Sequence, residues 1–195
     1  VISGFLTLGY AALVAVLMRK SQLPAEYFGF TCANFWRSMF AAFCLSSSII
    51  AVMIAVKMLL LGENLYAIVG LLTQFSHHQM QSTHFIFDAL DSQLTRDGLL
   101  VYILVIAPAQ ELIVRSGLQS LFAAYLHTRY RNAFSIILAN FIFCSSHFVY
   151  GSILLVALTF LLGILISIMF VYYRSFWAAA FTHSLVGTVF LLLFY

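Results

Sequence analysis

Residues 99–126 read LLVYILVIAPAQELIVRSGLQSLFAAYL, an apolar run interrupted by Gln110, Glu111 and Arg115. A membrane-spanning helix needs about 20 mainly apolar residues, and this run exceeds that. An acid and a guanidinium inside hydrocarbon are costly unless they face each other or a polar interior. Their i, i+4 spacing lets Glu111 and Arg115 pair on one helix face. The stretch therefore predicts one helix of a membrane bundle, polar face inward, with Pro108 kinking it.

The rest of the chain agrees. Of its 195 residues 64% are hydrophobic and 8% charged, with a mean hydropathy of +1.05. Soluble domains carry about a quarter charged residues, so composition alone places this chain in the membrane class. Apolar runs at 1–18, 37–61, 99–126, 133–150, 152–173 and 176–195 predict an all-α fold, a polytopic membrane helical bundle of about six transmembrane helices. The first run lacks a basic leader and a small-residue cleavage site, so it reads as a span rather than a secretory leader. Residues 21–36, SQLPAEYFGFTCANFW, read as an interfacial loop or short re-entrant piece. Two parts are expected: 1–98, two helices plus a polar interfacial segment, and 99–195, a four-helix core.

Charge is distributed unevenly between the loops. One face collects Arg19, Lys20, Arg37, Arg129, Arg131 and Arg174; the other collects Glu63, Asp88, Asp91 and Asp97 against Arg96 and Lys57. The positive-inside bias makes loop 127–132 and Arg174 cytoplasmic, in a plasma or inner membrane. Glu111 and His147 would then lie in the half of the bilayer away from that face. The net charge of +3 is scattered rather than clustered, which excludes a nucleic-acid partner and leaves membrane lipid and a peptide or membrane-protein substrate. Cys32, Cys44 and Cys144 lack CxxC spacing and read as small core residues.

Two more ionisable residues fall inside spans: His147 in the fourth and His183 in the sixth. For Glu111 and Arg115 alone, a buried packing pair is a sufficient reading. Two histidines and a carboxylate on three helices also offer proton acceptors and donors that can polarise a carbonyl. The same Glu111, His147 and His183 match a catalytic zinc set, although no HExxH helix is present. No cofactor is otherwise expected. His84 and Asp88, at i, i+4 in the polar segment 62–98, could share a metal, but that segment reads better as membrane-surface contact.

These residues sit in recognisable motifs. APAQELIVRSGLQ (107–119) resembles the first motif of the CAAX-protease and bacteriocin-processing family of intramembrane proteases, EExxxR after Ala-Pro. NFIFCSSHF (140–148) resembles the second, FxxxH, with Phe143 and His147 in register. RSFWAAAFTHSLVGTVF (174–190) resembles the third, a Trp-containing entry into His-xxx-Asn or His-xxx-Asp, and His183 matches its His. The resemblance covers 98–194, roughly half the chain, and implies a helical intramembrane endopeptidase. It further implies that the first acid activates water while the second, Glu111, organises the site with Arg115. His147 and His183 would assist the attack and, with the Asn, stabilise the oxyanion.

The chain departs from the pattern twice. Gln110 stands at the first acid, and an amide can orient water but cannot accept its proton. Gly187 stands at the Asn or Asp and supplies no side-chain donor. Asn140, two helical turns before His147, is a possible replacement donor or an interhelical packing residue. The readings are an engineered Gln110, a natural subgroup in which Glu111 or a histidine is the base, or a non-catalytic scaffold or bacteriocin-immunity-like protein of the same fold.

Overall fold

The computed structural model describes residues 2–62 and 94–194. Residues 63–93 of the polar segment, His84 and Asp88 among them, lie outside the described residues. Six long helices appear where the apolar runs predict them. They are α1 (Ile2–Lys20), α2 (Phe35–Leu61), α3 (94–125), α4 (Arg131–Ser145), α5 (Ile153–Tyr173) and α6 (Phe176–Phe194). Among the described residues five stretches are long and apolar enough to cross a membrane, one of them Asp97–Tyr125 within α3. The expected boundary at 98/99 falls inside α3.

Local chemistry sets several helix ends. Ser152 caps α5, its side chain accepting from the Leu155 N–H at 3.2 Å, which satisfies one of the first-turn amides left over by the helix. At the other end Arg174 takes a left-handed conformation, φ 49°, and its N–H bonds the Phe170 carbonyl at 2.8 Å. The Arg174 guanidinium then donates to the Tyr27 carbonyl at 3.3 Å and lies 5.0 Å from the centre of the Tyr27 ring. The α5–α6 turn thereby fastens the 21–34 loop. That loop contains a 3-10 turn, Ala25–Phe28, whose Phe28 is buried among Val14, Met18, Leu112, Ile113 and Leu121. Near the end of α6, the buried Lys57 ammonium donates to the Leu193 carbonyl, a cation at a helix C-terminus.

The core is built of small contacts and a few large side chains. Ala42 of α2 meets Ile166, Met169 and Phe170 of α5 and Ala178 and Ala179 of α6. Ser38 of α2 donates to the hydroxyl of Ser175 at 3.1 Å. Many large apolar side chains, including Phe40, Leu59, Leu104 and Ile153, face outward; in hydrocarbon that outward face is no penalty. Exposed Trp36, Tyr125, Tyr130, Tyr172 and Trp177 gather at the helix ends that also carry Arg37, Arg129, Arg131 and Arg174, as an aromatic belt does at a bilayer surface. The cysteines differ from expectation. Only Cys144 is buried; Cys44 is exposed on α2, because the outer face of a membrane helix is as apolar as its core, and Cys32 is exposed in the 21–34 loop.

Candidate functional site

Glu111 stands at the sequence midpoint of the 29-residue apolar stretch Asp97–Tyr125. The helix there is not a uniform α-helix. The short α segment Ala107–Glu111 lies between two π stretches, Tyr102–Ile106 and Leu112–Gln119. The first is closed by the Ala107 N–H bonding the Tyr102 carbonyl, five residues back. Pro108 has no N–H to continue the ladder at the next position, so the distortion expected there takes the form of a π turn. Such turns widen the helix and re-aim side chains, and they are frequent at functional sites.

Glu111 and Arg115 are both fully buried. The Arg115 Nη1 donates to Glu111 Oε1 at 3.0 Å, and His183 Nδ1 lies 2.6 Å from the same oxygen. A carboxylate oxygen only accepts, so His183 carries a proton on Nδ1. One oxygen thus ties α3 to α6. Arg115 Nη2 donates to Asn140 Oδ1 at 3.2 Å and to the Gly163 carbonyl at 2.9 Å, tying α3 to α4 and α5. Gly163 is required by this approach: a Cβ there would overlap Asn140 Oδ1 and come within 3.2 Å of Arg115 Nη2. The Arg115 guanidinium also lies 5.4 Å from the centre of the Phe143 ring.

Asn140 has little left to offer a substrate. Its Nδ2 donates to Ser167 Oγ and to the Ile136 carbonyl, each at 2.8 Å, while Oδ1 receives Arg115. Both amide hydrogens are engaged, so the structure uses Asn140 as a link between helices.

His147 is brought to the same centre through Phe143. The Phe143 ring centroid is 4.9 Å from that of His147 and 5.7 Å from that of His183, edge to face in both cases. The two histidines lie close enough to interact electrostatically. His147 Nδ1 is 3.1 Å from the Phe143 carbonyl oxygen. That carbonyl can only accept, so in this contact Nδ1 is the donor; the Ser146 hydroxyl oxygen also lies 3.2 Å from Nδ1. Exposure divides the site. Glu111 and Arg115 are sealed, and among the described residues Glu111 Oε2 and Arg115 Nε have no hydrogen-bond partner, whereas Gln110 and His147 are half-buried. Among the described residues no three His, Cys, Asp or Glu side chains are placed to hold a metal ion, Glu111, His147 and His183 included.

The sequence reading did not single out Gly163, Ser167 or Tyr102. Small and hydroxylated residues are ordinary in spanning helices, so only the partner across the interface reveals their use.

Residues 95–189 match the family model described as type II CAAX prenyl endopeptidase, Rce1-like. The match is consistent with the CAAX-protease and bacteriocin-processing motifs in 98–194, and together with the apolar helices it supports an integral membrane protein. No curated protein and no solved structure gives a match.

The polar cluster should hold the bundle together. Arg115→Met would leave Glu111 buried without its cation and cost about 3–5 kcal/mol, and Gly163→Ala about 1–3 kcal/mol through overpacking. Reversible unfolding in mixed micelles measures both; Arg115→Met as stable as the parent chain would contradict the assignment.

Proposed function

We propose, from the Rce1-like match over 95–189, that the chain is an intramembrane endopeptidase of the CAAX-processing type in which His147 is the base. The observation that carries this is the Nδ1 hydrogen bond from His147 to the Phe143 carbonyl, which leaves Nε2 as a proton acceptor on a half-buried ring. Gln110, half-buried and next to Glu111, orients the water through its carboxamide. Glu111, bonded to both Arg115 and His183, fixes the imidazole of His183. In the reaction, water oxygen attacks the scissile carbonyl carbon and gives its proton to His147 Nε2. The carbonyl oxygen becomes an oxyanion, the C–N bond breaks, and His147 returns the proton to the leaving amine nitrogen. A site in the middle of the bilayer excludes bulk water, and positioned donors there stabilise charge better than water does.

We place loop 127–132 and Arg174 on the cytoplasmic side, because basic residues and the aromatic belt share that end. An impermeant thiol reagent added outside should fail to label Thr128→Cys; labelling of intact cells would put the loop on the other face.

A non-catalytic member of the same family is the second reading, favoured by Gln110, which cannot take a proton. A cleavage assay in liposomes on a prenylated peptide ending in a CAAX sequence separates the two. We expect cleavage by the parent chain and a loss of about 100-fold or more in kcat for His147→Gln. Cleavage by Gln110→Glu alone, with the parent inert, would instead establish the non-catalytic reading.

A further inference from the structure

Gly187 lies one turn beyond His183 on α6, and its missing side chain is not empty space. A Cβ built there would overlap the hydroxyl oxygen of Tyr102 and approach the ring carbon bearing it to 3.1 Å. The phenol of α3 thus occupies the volume a side chain at 187 would fill. The Tyr102 ring also stands edge to face with His183, centroids 6.4 Å apart.

The backbone explains how Tyr102 reaches this place. Nine positions separate Tyr102 from Glu111, and at about 100° per residue a regular helix would set them about 180° apart. The π turn over Tyr102–Ile106 absorbs one residue, about 100° of rotation, and leaves them about 80° apart. Tyr102 is thereby swung from the far side of α3 toward α6. A phenol in a spanning helix brings a donor with it, and here that donor is delivered beside the His183–Glu111 pair.

We propose that the Tyr102 hydroxyl is a catalytic residue of this site, donating a hydrogen bond to the oxyanion formed on the scissile carbonyl. Gly187 is glycine because the phenol takes the place of a donor at that position. This inference rests on the endopeptidase reading, since it assigns a donor to that reaction. Phenol O–H is a fit donor for an oxyanion, and nothing covalent is asked of it: the bond forms as negative charge develops and relaxes when the C–N bond breaks.

The test uses the full chain in nanodiscs, with a peptidyl phosphonate as an anionic tetrahedral probe and the parent peptide as its ground-state partner. The phosphonate should bind more tightly than the peptide. Tyr102→Phe should weaken phosphonate binding by at least ten-fold and leave peptide binding within two-fold. Gly187→Ala should act in the same sense by displacing the phenol. Gly187→Asn in the Tyr102→Phe background should restore part of the loss, by returning a donor rooted on α6. In the cleavage assay Tyr102→Phe should lower kcat by about 100-fold with KM little changed. Equal loss of both ligands, or no loss of phosphonate binding, would overturn the assignment. Full cleavage by Tyr102→Phe would overturn it while leaving the endopeptidase reading intact. Phosphonate discrimination that depends on Tyr102 in a chain that never cleaves would uphold the donor and remove the endopeptidase reading.

Discussion

Burying a carboxylate and a guanidinium at the middle of a hydrocarbon layer is the constraint on which the rest of this structure depends. Neither group can stay there alone. Their mutual attraction repays the desolvation only if the remaining polar atoms also find partners. Three helices supply most of those partners. His183 on α6 comes to Glu111, and Asn140 on α4 and the Gly163 carbonyl on α5 come to Arg115. Phe143 adds a ring face to the guanidinium. Without a hydrophobic driving force between helices in lipid, such bonds and close small-residue contacts are what specify the packing.

The same demand shapes the site. Because Glu111 Oε1 is shared by two donors and the pair is sealed, the anion acts as a fixed reference around which His183 is oriented. The chemistry we propose sits at the rim, where Gln110 and His147 are half-buried. In this account the substitution of an amide for an acid at 110 removes one proton acceptor and leaves another, the imidazole whose tautomer Phe143 sets. Among the described residues Glu111 Oε2 and Arg115 Nε find no partner, so these residues hold the cluster firmly at one edge and less fully at the other.

Much of this was legible in the sequence. The apolar runs gave six helices with ends displaced by a few residues, since hydropathy reports lipid contact directly. The pairing of Glu111 with Arg115 followed from spacing on one helix, and the approach of His183 followed from the motif order. The parts that did not follow are those set by geometry between helices. The sequence does not say that Pro108 is accommodated by a π turn, that both Asn140 amide hydrogens are spent on Ser167 and Ile136, or that Gly163 is small to admit Asn140 and Arg115. It marked Gly187 as a missing donor, but only the fold places the Tyr102 phenol there. Hydropathy also misjudged Cys44, because inside and outside are equally apolar in a membrane bundle.

The central claim is that His147 presents a basic Nε2 beside a sealed Glu111–Arg115 anchor. Nitrogen-15 NMR of the histidine-labelled chain in nanodiscs at about pH 8, above the ordinary imidazole range, reads that tautomer directly, with His147→Gln supplying the assignment. The account predicts His147 protonated on Nδ1 with an unprotonated Nε2. A His147 found with its proton on Nε2 would contradict it.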